Sequence, residues 1–207
     1  MSEDNEKQEK IKIMTLGNSQ VGKSNFILKF TENKFEEVYT QTTGIDFKIK
    51  LITIKEKQYI LFFYDTLGQE RYKSITLNLI KDANGILLMY DITNPESFDS
   101  IPNWIKSIKE HKGCSFPIIL LGNKIDLESD RKISKEQGEK LAQENGIEFF
   151  EISNKNGTNI QEAGLAIANK ILENIEKEKL EAQKNNNIID LRSKKNNKTK
   201  DDSKRCC

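Results

Sequence analysis

An apolar run, IKIMTLG at 11–17, leads straight into GNSQVGKS at 17–24, and NFILKF follows. No other stretch restricts the fold so tightly. The octapeptide fits G-x-x-x-x-G-K-[ST], the pattern of a phosphate-binding loop. Gly17 and Gly22 allow the backbone to wrap close to anionic oxygens. Amides at the loop and at the start of the next helix point at the anion. Lys23 brings positive charge to the outer phosphates, and Ser24 offers a hydroxyl to Mg²⁺. The pattern carries this meaning only between a buried strand and a helix, and the flanking residues predict both. A nucleoside triphosphate site follows, but not the base it takes.

The rest of the chain alternates in the same way. FKIKLITI (47–54) and YILFFYD (59–65) flank the polar KEKQ and predict a hairpin. GILLMYD (85–91) and PIILLGNKID predict strands, the first apolar on both parities and so buried on both faces. PESFDSIPNWIKSIKEH, ISKEQGEKLAQEN and NIQEAGLAIANKILENIEKEKL predict helices, with the strand IEFFEIS between the last two. The expected class is α/β: a mostly parallel six-stranded sheet, one antiparallel edge strand, and helices on both faces.

NKID at 123–126 falls at the end of a predicted strand, where open α/β sheets bind ligands. The Asp126 carboxylate can accept two hydrogen bonds from the N1–H and exocyclic amine of guanine. Adenine lacks that donor pair, so the pocket prefers guanine. An adenine-using P-loop enzyme is the competing reading at this point.

GNSQVGKS, TTGIDF, YDTLGQER, LLMYDIT, LGNKID and EISNKNG occur in this order. In them the chain resembles the small GTPases of the Ras superfamily, and within it the Rab family. The likeness covers about residues 10–178 and the final Cys-Cys. It implies a P-loop NTPase of the small-GTPase fold that binds GTP and GDP with Mg²⁺ and hydrolyses GTP slowly. The expected contacts of the phosphate loop are Ser19, Gln20, Val21, Gly22, Lys23, Ser24 and Asn25. Mg²⁺ would be held by Ser24, Thr42 and Asp65. Phe35 would pack on the guanine, unless it is a simple core residue, and Tyr39 would close over the phosphates. Gly68 would give its amide to the γ-phosphate and Gln69 would orient the attacking water. Asn123 would brace the phosphate loop, Lys124 would lie on the base, and Ser153, Asn154 and Lys155 would complete the base site.

The chain also departs from that family. Leu67 stands where the family has Ala, beside the Mg²⁺ shell. Overpacking of this kind typically costs ~1–3 kcal/mol where it cannot relax. A loop relaxes by moving, and then Gly68 and Gln69 lose their positions. The two readings are a GTP/GDP switch that recruits effectors to membranes in vesicle traffic, and a nucleotide-binding interaction protein with little turnover. Asn154 replaces the Ala of the usual Ser-Ala-Lys. Phe47, Tyr64 and Leu79 stand at the family's Phe, Trp and Tyr effector triad, so a different partner set is expected. Trp104 reads as packing, His111 has no assigned role, and Cys114 reads as a loop residue.

A net charge of +1 gives no ground for a nucleic-acid partner. Three cysteines, two of them the terminal pair, indicate a reducing compartment rather than a disulfide framework. The charged start MSEDNEKQEK does not read as a signal peptide. The expected organisation is a disordered 1–9, a GTPase domain at 10–178, and a flexible tail at 179–207. Between Lys184 and Arg205 that tail carries eight Lys/Arg against three Asp. The run is either a solvated end or a weak attraction to an anionic membrane face. Cys206 and Cys207 resemble the double-cysteine ending that receives two geranylgeranyl groups, enough for a stable anchor. The resemblance also implies an exchange factor, a GTPase-activating protein and effectors, acting at Thr42–Phe47 and Tyr64–Leu79. A prenylation escort and a carrier of the dissociation-inhibitor type would serve the lipids. The expected protein is a monomer on the cytoplasmic face of an intracellular membrane, with a soluble pool.

Overall fold

The computed structural model of the chain describes residues 9–37, 46–65, 80–113 and 115–201. Six strands lie among the described residues: β1 Glu9–Leu16, β2 Asp46–Ile54, β3 Lys57–Asp65, β4 Gly85–Asp91, β5 Ile118–Asn123 and β6 Glu148–Ile152. Among the described residues lie five α-helices, α1 Lys23–Glu32, α2 Pro95–Asp99, α3 Ile101–Lys112, α4 Lys135–Asn145 and α5 Ile160–Asp201, and a 3-10 helix, Ile125–Asp130. The sheet order is β2-β3-β1-β4-β5-β6. Only β2 runs antiparallel to its neighbour, so the sheet is the expected mostly parallel one with an antiparallel edge.

The unbroken apolar runs predict the centre of the sheet. Every residue of β4 and β5 is buried, as a strand covered on both faces requires. Alternation then assigns side chains to two faces. On one face Met14, Leu16, Leu88, Tyr90 and Leu120 pack with Ile101, Ile105 and Ile108 of α3 and Ala142 of α4. On the other, Phe30 of α1 lies against Phe63 of β3, with ring centroids 5.2 Å apart. A Cβ on Gly164 of α5 would lie 2.1 Å from the Phe30 ring. The first turns of α5 therefore seat on α1 only because that position has no side chain.

One local expectation changes. One helix is expected over 95–111, but the chain breaks it at Ser100 into α2 and α3. Pro102 follows at once, and proline cannot continue a preceding helix because it lacks an N–H and clashes with the turn before it. At the other end, α5 runs as helix to Asp201. The structure divides after Ile171, and the described residues from Leu172 onward form a separate unit. Poor apolar content argues against tertiary burial, not against a local helix. KILENIEKEKLEAQK is rich in strong helix formers, and Asn174 Nδ2 donates to Glu178 one turn on, at 2.9 Å. No helix among the described residues is long and apolar enough to cross a membrane.

The β2–β3 hairpin turns on two residues, Lys55 and Glu56, with φ of 49° and 66°. Two positive φ values mark the turn that matches strand twist, and Asn-Gly is its preferred sequence. Lys-Glu is strained there. Replacing Lys55-Glu56 by Asn-Gly should stabilise the fold by about 0.5–1 kcal/mol. A urea titration should show the midpoint rise with an unchanged slope.

Candidate functional site

Because five strands run parallel, their carboxyl ends open on one edge of the sheet. Gly17 follows β1 there, Asp65 ends β3, Asp91 ends β4, Asn123 ends β5 and Ser153 follows β6. β1 also lies where the chain order reverses, with β3 on one side and β4 on the other. Such a reversal opens the crevice in which these sheets bind ligands.

The loop 17–22 passes tightly across this edge. Gly17 has φ +135°, and a Cβ on it would lie 2.1 Å from the Met89 carbonyl oxygen. Gly22 has φ +99°, and a Cβ would lie 2.3 Å from Asn123 Nδ2. Both positions exclude a side chain by space as well as by torsion. Lys23 folds back over the loop and donates to the carbonyls of Gly17 (3.1 Å) and Asn18 (2.7 Å). Its side chain is buried. Burial lowers the ammonium from its ordinary 10.5 to about 8, and the charge of nearby Asp65 opposes the shift.

Helix α3 holds the loop from the side. Asn18 Nδ2 donates to Ser100 Oγ at 3.0 Å, and Trp104 Nε1 donates to Asn18 Oδ1 at 3.4 Å. Trp104 therefore does more than the packing its sequence context suggests. Ser24 and Asn25 open α1. The Asn25 side chain clasps the Glu36 backbone in both directions, each bond 2.9 Å. That clasp sits one residue after half-buried Phe35.

The ends of β5 and β6 form the second half. Asn123 Nδ2 donates to the Val21 carbonyl at 2.8 Å, and Asn123 Oδ1 accepts from the Asn154 amide at 3.3 Å. Asn154 Nδ2 donates to the Gly22 carbonyl at 2.8 Å. Ser153 Oγ donates to Asp126 Oδ1 at 2.6 Å, and accepts from the Asn156 amide at 3.0 Å. Asp126 is thereby oriented from β6 while it sits after β5. Lys124 has a left-handed φ of 72°, and its ammonium lies 2.6 Å from Asp91 Oδ2. The other Asp91 oxygen accepts from the backbone and hydroxyl of Thr93, each at 2.8 Å. Asp91 is a buried organiser that the sequence reading left without a role. Arg131 supports the loop from below, with a 2.5 Å contact to Glu151 of β6. Lys155 is exposed beyond it.

The arrangement fits a nucleotide with a hard cation. It has a tight amide loop, a buried ammonium, a carboxylate at the end of β3, and a hydroxyl at the start of α1. Ser19, Gln20, Val21, Gly22, Lys23, Ser24 and Asn25 are gathered at the loop, and Asn123, Lys124, Asp126, Ser153, Asn154 and Lys155 beside it. Tyr39, Thr42, Leu67, Gly68, Gln69, Leu79, Cys114, Cys206 and Cys207 lie outside the described residues.

On the hairpin, Phe47, Ile49 and Leu51 are 56%, 49% and 62% exposed. They stand opposite Tyr64, Phe62 and Ile60 of β3. Together these six residues make an open apolar face on the sheet edge.

The Ras family model matches residues 12–173. Over 161 residues the chain is 48% identical to the Ras-related protein Rab-13 of Canis lupus familiaris, covering 78% of this chain and 79% of that protein. It is 45% identical over 161 residues to Ras-related protein Rab-8B of Pongo abelii, covering 78% of each. Ras-related protein Rab-8 of Diplobatis ommata is 42% identical over 166 residues, covering 80% of this chain and 79% of that protein.

The lowered ammonium of Lys23 has a defined pH signature. The native state gives up this proton near pH 8, and the unfolded chain only near its ordinary value of 10.5. Between those values the unfolded chain binds more protons, so stability rises with pH. The cost of the buried charge is present below pH 8 and lost toward pH 10.5. Melting curves from pH 7 to 10 should show this rise in the wild type relative to Lys23→Met, which has no such group.

Proposed function

The chain belongs to the Ras family as a Rab small GTPase, a switch of membrane traffic in general terms, and from that premise we propose how its own residues work the switch. The observation that carries the reading is the joining of two loops at one edge. Asn123 ties the base-reading segment to the phosphate loop, and Ser153 orients Asp126.

In this reading the loop amides and Lys23 hold the phosphates, and Lys23 exchanges the Gly17 and Asn18 carbonyls for phosphate oxygens. Asp126 takes the two guanine donors, Lys124 covers the base, and Phe35 packs on its other side. Ser153, Asn154 and Lys155 frame the base, and Tyr39 closes over the phosphates. Ser24, Thr42 and Asp65 would hold Mg²⁺, which neutralises charge on the terminal phosphate oxygens when bound. Gly68 and Gln69 would place the γ-phosphate and the attacking water. These roles are carried over from the family, itself the model system for this chemistry. Positioning and charge compensation supply most of the catalysis. An activating protein would supply an arginine, because the intrinsic rate is slow.

Leu67 restrains turnover in this reading. It adds three carbons beside the polar centre relative to the family's Ala, and the segment yields by moving Gly68 and Gln69. Each ~1.4 kcal/mol of misplacement is a tenfold loss of rate. The GTP state is then long-lived, and at the limit the protein binds nucleotide with little turnover. Single-turnover hydrolysis of bound GTP checks this, with Gln69→Leu as the inactive control. Leu67→Ala is expected to raise the rate at least tenfold. Equal rates for wild type and Leu67→Ala would remove Leu67 as a brake.

The open face of Phe47, Ile49, Leu51, Ile60, Phe62 and Tyr64 supports effector docking beside the switch segments at Thr42–Phe47 and Tyr64–Leu79. Exchange factor and activating protein would use the same side. Cys206 and Cys207 would carry two prenyl groups, delivered by an escort and extracted by a soluble carrier. This sets the protein on the cytoplasmic face of an intracellular membrane with a cytosolic pool. Replacing both cysteines with serine should leave GDP binding intact and move the protein to the soluble fraction of a cell lysate. Retention in the membrane pellet would reject the lipid anchor.

A further inference from the structure

We propose that Asn154 is a positioning residue that couples the base-reading loop to the phosphate loop through its side chain. The inference rests on the guanine-nucleotide reading of the site. At this position the resembled Ser-Ala-Lys pattern has only a methyl group, which donates no hydrogen bond. Here Asn154 Nδ2 reaches across 132 residues of sequence to the Gly22 carbonyl at 2.8 Å. Asn123 holds the preceding carbonyl, Val21, also at 2.8 Å. Two carboxamides from the ends of adjacent strands thus grip two successive carbonyls of one loop.

The geometry translates this grip into aim. A trans peptide is planar, and its C=O and N–H point in opposite directions. Holding the Val21 carbonyl fixes the Gly22 N–H, and holding the Gly22 carbonyl fixes the Lys23 N–H. Those are consecutive amides of the phosphate loop. The Gly22 carbonyl also accepts the first helical bond from Phe26 N at 2.9 Å, so Asn154 fills its second acceptor position. Contact is close: a Cβ on Gly22 would meet Asn154 Nδ2 at 2.7 Å. Asn154 is 3% exposed, so water competes little for the bond.

The other half of the same side chain argues against a purely stabilising role. Asn154 Oδ1 is buried with no hydrogen-bond partner among the described residues. An unsatisfied buried acceptor opposes folding. Alanine would remove that penalty together with the tie. The side chain therefore does more for the loop's direction than for the fold's stability.

The test compares wild type, Asn154→Ala and Asn154→Asp in two measurements. One is the release rate of a fluorescent GDP; the other is GMP affinity, by competition. GMP carries the base but lacks the β-phosphate that the loop amides cradle. Loss of one buried hydrogen bond predicts about three- to tenfold faster GDP release from Asn154→Ala. Asn154→Asp turns a carboxylate toward a carbonyl oxygen and should release GDP faster still. GMP affinity should stay within about twofold in Asn154→Ala, because position 154 frames the base through its backbone, which alanine keeps, and Asp126 and Lys124 are unchanged. GDP release within twofold of wild type in the alanine variant overturns the proposal. So does an equal weakening of GMP and GDP, which would confine Asn154 to the base loop. If the aspartate variant does not fold, the alanine pair of measurements still decides. Folded wild type that binds no GDP would bring down the functional reading and this inference together. Wild type that binds GDP beside an unaltered alanine variant would sink this inference alone.

Discussion

The hydrogen bond from the Asn123 carboxamide to the Val21 carbonyl holds the site together. It joins the end of β5 to the loop after β1, two segments 102 residues apart in sequence. The bond is buried, so a lost partner would leave a polar group stranded in a low-dielectric interior. Its geometry requires Gly22, since any side chain there would strike the Asn123 amide. Further contacts build outward from this bond. Asn154 ties the next carbonyl, Ser153 aims Asp126, and Ser100, which precedes α3, and Trp104 of α3 steady Asn18.

The sheet makes those contacts affordable. Parallel strands bring five carboxyl ends to one edge, and β4 and β5 beneath it are buried along their whole length. Polar residues at the edge are then gathered by the topology rather than by their own attraction. Buried Lys23 shows the consequence. Desolvation lowers its proton affinity, and the nearby Asp65 carboxylate restores only part of it. A group so placed gains when an anion enters, which suits a site built to take phosphate.

The hairpin tells the opposite story. β2 is the edge strand, and its outward residues Phe47, Ile49 and Leu51 remain open. On its other face Lys48 pairs with Glu32 at 2.8 Å, and Lys50 lies 3.9 Å from the centre of the Phe30 ring. The cations anchor the strand to α1, and the apolar residues face outward. A monomeric fold rarely leaves such a stripe open without a partner to cover it.

Much was legible in the chain. The two glycines and the lysine of GNSQVGKS, set between an apolar strand and a helix, point to a phosphate loop, because glycines suit its torsions and the lysine its charge. The apolar runs point to a mostly parallel sheet, and the carboxylate of NKID suits a guanine. Leu67 and Asn154 stand out as departures by residue type alone. Only the tertiary structure decided which side chains meet. Trp104 reads as packing until α3 brings its N–H to Asn18, and Asp91 has no visible role until Lys124 closes on it. Asn154 shows no side-chain function until its amide reaches Gly22. The break at Ser100 turned on one proline within an otherwise continuous periodic pattern. Periodicity and propensity act over a few residues, so a sequence displays them. A hydrogen bond between residues far apart in the chain exists only after the sheet has set its register, and no local pattern records it.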